Sequence, residues 1–151
     1  HWDLNILLQG VQGADKLNVI YAMASSFYAK SRTITLADPW YNRWTESNPS
    51  NKWPKAESTT STNYINSTQW IQDASFIRLK NLSLGYTFDK SLTKIGDFRL
   101  YVSSQNLFTI TKYKGYDPES SSTLSSDVAT GIDSGITPSA LTVTFGAQLT
   151  F

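Results

Sequence analysis

Apolar and polar residues alternate without a break over the final eleven positions. Leu141, Val143, Phe145, Ala147, Leu149 and Phe151 share one parity, and Thr142, Thr144, Gly146, Gln148 and Thr150 share the other. Successive side chains of a β-strand point to opposite faces, so this period of two predicts a strand over 141–151 with one oily side and one wet side.

Three more segments carry the same pattern. Over 2–11, Trp2, Leu4, Ile6 and Leu8 oppose Asp3, Asn5 and Gln9, with Leu7 the single exception. Over 74–88 the alternation is clean from Leu82, where Leu82, Leu84, Tyr86 and Phe88 oppose Ser83, Gly85 and Thr87. Arg78 and Lys80 share the parity of Leu82, so either that end of the strand lies beyond the apolar surroundings or a bulge changes its phase. Over 97–111, Phe98, Leu100 and Val102 oppose Arg99, Tyr101, Ser103 and Gln105. One helix is expected after Asp15, which is placed to cap it, because Leu17, Ile20, Tyr21, Ala24, Phe27 and Tyr28 recur at three- and four-residue spacing. The fold class is therefore all-β, antiparallel, with long loops over 12–73 and 112–140 and a short turn over 89–96.

Strand length fits a membrane crossing. Eleven residues at about 3.3 Å each span about 36 Å, and a tilt of about 40° leaves a rise of about 27 Å, close to the apolar band of an outer-membrane barrel. Long and short connections also alternate as such a barrel requires, with long loops outside and short turns on the periplasmic side. In that orientation the outward-facing Trp2, Phe88, Phe98 and Phe151 all fall at the periplasmic interface, where barrels carry an aromatic girdle. Phe145 and Leu149 then face lipid, while Arg99, Tyr101, Gln105, Thr144 and Gln148 face the lumen. Four strands cannot close a membrane barrel, which needs about eight, and open edges in lipid leave backbone groups unpaired at several kcal/mol each. The edge strands 2–11 and 141–151 are thus expected to pair with strands outside this sequence.

Particular motifs point the same way. Polar Thr144, Gly146, apolar Leu149 and terminal aromatic Phe151 resemble the C-terminal signal read by the barrel assembly machinery of Gram-negative bacteria. Asp73-Ala-Ser-Phe-Ile-Arg-Leu-Lys-Asn-Leu-Ser-Leu-Gly-Tyr86, Arg99-Leu-Tyr-Val-Ser-Ser-Gln-Asn-Leu-Phe108 and Tyr113-Lys-Gly-Tyr-Asp-Pro-Glu119 resemble, in order and spacing, the C-terminal part of SusC/RagA-type TonB-dependent transporters. Asn42-Arg-Trp-Thr-Glu-Ser-Asn-Pro49 and Gln9-Gly-Val-Gln-Gly13 extend the likeness. The resemblance implies an outer-membrane barrel of about 22 strands, with a plug and a TonB-contacting segment that are not in this sequence. It also implies import of an oligosaccharide or peptide together with a SusD-like surface lipoprotein.

Composition removes other classes. The 151 residues include no cysteine and a single histidine, His1, so neither a thiolate metal site nor a histidine-based triad can be assembled, and no enzymatic activity or cofactor is expected. A formal charge of +1 gives no electrostatic case for nucleic acid. No run of about 18 apolar residues occurs, so no transmembrane helix is expected. Asp117, Glu119, Asp127 and Asp133 lack the close alternation of a calcium loop and are expected to be solvated loop charges, leaving no metal site. The remaining chemistry is aromatic. Trp40, Tyr41, Trp44, Trp53, Tyr64 and Trp70 lie among Asn, Ser and Thr, a composition suited to stacking on sugar rings, docking a protein lid, or packing the loop itself. Trp40, Tyr41, Trp44 and Trp53 are the substrate or lid-contact candidates. The alternative to a transporter segment is a soluble all-β carbohydrate-binding module using the same tryptophans.

Overall fold

The computed structural model describes residues 1–25, 27, 36–56, 67–120 and 131–151. Tyr28, Tyr64 and Asp127 lie outside the described residues. In chain order the elements are β1 (Trp2–Val11), β2 (Asp15–Asn18), α1 (Val19–Ser25), α2 (Ala37–Asn42), a 3-10 turn (Thr68–Trp70), β3 (Ile71–Asp73), β4 (Phe76–Phe88), α3 (Lys90–Thr93), β5 (Asp97–Gln105), β6 (Thr109–Thr111), β7 (Ile132–Asp133) and β8 (Thr142–Thr150). The chain divides into two compact units, one of residues 1–13, 75–112 and 138–151 and the other of residues 14–74 and 113–137.

The first unit is an antiparallel sheet in the order β1-β4-β5-β8, with β6 continuing the pairing along β4. Its four long strands are the four that alternation predicts. Their register aligns the apolar parities into rows: Trp2, Tyr86, Leu100 and Ala147; Leu4, Leu84, Val102 and Phe145; Ile6, Leu82, Ser104 and Val143. The rows between them are mostly polar, as in Asn5, Ser83, Ser103 and Thr144. A slip of one residue in any strand would move its whole apolar set to the other face, so the pattern specifies the register strongly. Among the described residues, β1 and β8 each have one edge without a partner strand.

Two irregularities bend the expected pattern. Leu7 pairs with Asn81 and Leu8 with Leu79, which leaves Lys80 as an extra residue in β4. Of the two accounts of Arg78 and Lys80, the bulge is the one realised. It turns Arg78 to the parity of Gln9, where its Nε donates to Thr109 Oγ1 at 2.8 Å, and returns Ile77 to the apolar side. The strand expected to run to 111 divides into β5 and β6 at Asn106, whose φ of 52° takes it out of the extended region. Asparagine tolerates this conformation better than most residues, and its Nδ2 also donates to the Ala140 carbonyl at 3.1 Å. The 89–96 connection is short, as expected: α3 ends at Lys94 in the left-handed region, and Asp97 Oδ1 accepts from the Lys90 N–H at 2.8 Å.

The second unit draws on both long connections. β2 pairs antiparallel with β3 and parallel with β7, so residues before 74 and after 112 share one small sheet. Here the helix expectation needs correction. Asp15 belongs to strand β2, and α1 begins at Val19 with Asn18 as its cap, Asn18 Oδ1 accepting from the Tyr21 N–H at 2.9 Å. Pairing on both sides of β2 holds residues 15–18 extended, which outweighs the weak helical periodicity at Leu17. Ala22 on α1 packs with Trp53 and Trp70, and Leu17 and Tyr21 flank them.

Candidate functional site

The sheet offers two chemically opposite faces. On the apolar face large side chains are bare: Phe145 is 81% exposed and Trp2 72%. Contiguous exposed apolar surface of this extent marks a contact with something other than water. At one end of this face the rings run in sequence, Trp2 to Tyr86 at 4.8 Å between centroids, Tyr86 to Phe88 at 4.7 Å and Phe88 to Phe98 at 6.2 Å. Leu149 pairs with Phe98 at the same level, and Phe151 follows beyond the end of β8.

On the polar face, Arg99, Tyr101, Gln105, Thr144 and Gln148 all take the parity assigned to them, in rows that alternate with the apolar ones. Arg99 is not a free charge. Its Nε and Nη2 reach Asp3 Oδ1 and Oδ2 at 2.9 and 2.5 Å, a two-pronged ion pair from β5 to β1 across β4. This pair is not visible in the sequence, where the partners stand 96 positions apart.

In the second unit the four contact candidates separate. Trp40 and Tyr41, both on α2, are exposed, Tyr41 at 77%; Trp44 is half-buried. Trp53 is 3% exposed and Trp70 1%, so both are packing residues of this unit's core. Burial removes Trp53 from the rings a ligand can stack on. Around α2, Lys52 Nζ lies 3.1 Å from Asp38 Oδ2, and the Arg43 guanidinium stacks 4.3 Å from the Trp40 ring centre. The hydrogen bond from Lys52, followed by that from Asn42, holds the Asp38 carboxyl below the usual carboxylate range.

A buried charged cluster is the feature that sequence reasoning misses. Asp117 and Asp133 are buried, not solvated as expected. So is Lys16, whose Nζ donates to the Ser120 carbonyl. Asp117 Oδ1 accepts from the Glu119 N–H at 2.9 Å, and Asp133 Oδ1 from the Gly135 N–H at 2.8 Å, while Tyr113 donates its hydroxyl to Asp133 Oδ2 at 2.6 Å. Burial pushes Lys16 below the ordinary lysine value, opposed by the charges of Asp133, Asp117 and Glu119. Burial, and then the bond to Asp133, push the Tyr113 hydroxyl upward. Among the described residues no group of three or more His, Cys, Asp or Glu is placed to hold a metal ion. Lys16 and these carboxylates instead form a buried cluster of opposite charges, each member held by a hydrogen bond.

These features define an all-β chain built on a two-faced antiparallel sheet, and among the described residues no helix is long and apolar enough to cross a membrane. Its relatives give the class a more particular form. The chain is 32% identical over its full length to TonB-dependent receptor P3 of Formosa agariphila, of which it spans 15%. Over 56% of its length it is 40% identical to TonB-dependent receptor SusC of Bacteroides thetaiotaomicron, matching 8% of that protein. Among solved structures, the RagAB peptide transporter superposes on 99% of the chain with a TM-score of 0.79 and 28% identity, the chain covering 16% of the transporter chain. The same assembly in its open-open state gives a TM-score of 0.70. No protein-family profile matches. The likeness to SusC/RagA-type TonB-dependent transporters stated from the motifs is therefore also a likeness over the whole chain and in fold. These relatives are receptors and transporters rather than enzymes.

Proposed function

We propose that this chain forms part of the barrel wall and outer loops of a TonB-dependent importer in the outer membrane of a Gram-negative bacterium, which takes up an oligosaccharide or peptide together with a SusD-like surface lipoprotein. The observation that carries the reading is the sheet's division into a bare apolar face and a polar face, in a chain that matches TonB-dependent receptors along its whole length. The apolar face meets lipid, the aromatic run from Trp2 to Phe98 sits in a membrane interface, and the polar face lines the lumen or rests on the plug. The free edges of β1 and β8 pair with further strands of a barrel of about 22. Energy reaches the wall through TonB acting on the plug. Exposed Trp40 and Tyr41, with half-buried Trp44, contribute to the lipoprotein or nutrient contact. Thr144, Gly146, Leu149 and Phe151 serve recognition by the barrel assembly machinery.

The experiment is a deletion of the receptor carrying this chain, complemented by the intact protein or by its Trp40→Ala and Tyr41→Ala variants. Growth is scored on oligosaccharides and peptides as sole nutrients, and the co-purifying surface lipoprotein is measured. The deletion is expected to abolish growth on one nutrient class, and the alanine variants to weaken uptake, with loss of the lipoprotein if the rings dock the lid. Unchanged growth of the deletion strain on every nutrient, with no lipoprotein co-purifying with the intact receptor, overturns the reading.

A further inference from the structure

Two glycines on the polar face stand where side chains from other strands cross the sheet. Gly85 lies in β4, between Asp3 on β1 and Tyr101 on β5 in the same row. A Cβ built there would sit 2.5 Å from Asp3 Oδ1 and 2.7 Å from Arg99 Nη2, inside contact distance of both members of the ion pair. Gly146 lies in β8 opposite Tyr101, and a Cβ there would collide with Cζ, Cε1 and the hydroxyl of the Tyr101 ring. The Tyr101 ring thus lies down over Gly146, and the Arg99 guanidinium stands 4.7 Å from the centre of that same ring. Neither glycine has a positive φ, so the turn chemistry that usually explains glycine does not apply to them. What each supplies is the absence of a side chain.

We infer that Asp3, Gly85, Arg99, Tyr101 and Gly146 form a clasp that fixes the register of all four long strands from the polar face. Backbone pairing joins each strand only to its neighbour. The Asp3–Arg99 pair ties β1 to β5 over the top of β4, and the Tyr101 ring ties β5 to β8. A slip of β4 by one residue would bring Leu84 or Tyr86 under the ion pair in place of Gly85, and a slip of β8 would bring Phe145 or Ala147 under the ring. Each slip would force the Asp3–Arg99 pair or the Tyr101 ring out of its place, in addition to exposing the apolar set on the wrong face. Aromatic cover of a strand glycine also shields backbone that glycine leaves bare. The clasp is a property of the folded sheet and does not depend on the proposed transport activity.

The test is a pair of suppression cycles in the full-length protein, read by the urea midpoint of unfolding followed by tryptophan fluorescence. Gly146→Ala is expected to lower the midpoint when Tyr101 is present and to leave it unchanged in a Tyr101→Ala background, where the added methyl has room. Gly85→Ala is expected to lower it when Asp3 and Arg99 are present and to be neutral in an Asp3→Ala, Arg99→Ala background. If a glycine variant alone yields no folded protein, recovery of folded protein by the second substitution supports the clasp, and failure to recover in both cycles overturns it. Equal loss in both backgrounds, or no loss in either, also overturns it, because the glycines would then act through their own backbone or not at all.

Discussion

The two units differ in what they leave bare. In the sheet, Phe145, Trp2 and Leu4 are among the most exposed side chains. In the second unit Trp53 and Trp70 are almost fully covered, and Lys16, Asn18 and Asp133 are buried with them. Both units draw on the same aromatic and aliphatic residue types, so hydrophobicity by itself does not determine burial. The difference lies in what each unit packs against. The second unit brings its own elements together around Trp70 and has a closed interior. The sheet is a single layer, and one layer with an oily face is stable only against a second apolar medium. The contrast separates a sheet with a bare apolar face from a unit with an interior of its own.

The largest expected effect lies in the closed interior. Trp70→Ala should cost the second unit about 3–5 kcal/mol, because it removes a fully buried indole and leaves a cavity. Limited proteolysis of residues 14–74 in the intact receptor reads this directly. Undiminished protection would mean that the second unit has no core of its own, and the contrast would collapse. Next in size, Phe145→Lys should cost about 2–4 kcal/mol if that face lies in lipid near mid-membrane, whereas Thr144→Lys on the other face should be far milder. Equal yields of heat-modifiable barrel from the two variants would cancel the assignment of faces. The smallest effect is a pH dependence. The Tyr113 hydroxyl titrates above its ordinary value of 10.0 in the folded chain, so past that pH the folded state retains a proton that the unfolded state has lost. Stability of the second unit should therefore fall as pH rises above about 10. Tyr113→Phe should lower stability at neutral pH by about 1–3 kcal/mol and remove Tyr113's contribution to the alkaline decline. Hydrogen exchange measured across that pH range sharpens the comparison, since a decline of the same steepness in both proteins would detach Tyr113 from it.

The sheet was legible in the sequence because its information is local. A period of two, repeated over Leu82, Leu84, Tyr86 and Phe88 or Val143, Phe145, Ala147 and Leu149, needs no knowledge of partners, and four such runs prescribe the layer and its faces. Where local information was ambiguous, pairing decided. Arg78 and Lys80 left the choice between a bulge and an end beyond the apolar zone, and the register of β1 against β4 settles it as a bulge. The second unit was hardly legible. β2, β3 and β7 have four, three and two residues, too few for any period to register. Their pairing depends on residues more than 50 positions apart. For the same reason Asp117 and Asp133 read as loop charges until Lys16 and Tyr113 are brought beside them. On the polar face, alternation indicated which side Arg99 and Tyr101 occupy, but not that each lies across a glycine of another strand.

The parallel pairing of β2 with β7 has a consequence for how such chains exchange parts. In many sheet proteins a connection between two strands is a free cassette that can be traded between relatives without disturbing the next one. Here residues 14–74 and 113–137 share one small sheet and a buried cluster, Lys16 coming from the first and Asp117, Asp133 and Tyr113 from the second. A chimera that grafts one excursion from a relative inherits half of an interior. The unit of exchange is the pair, and changes in one excursion are constrained by the side chains the other presents.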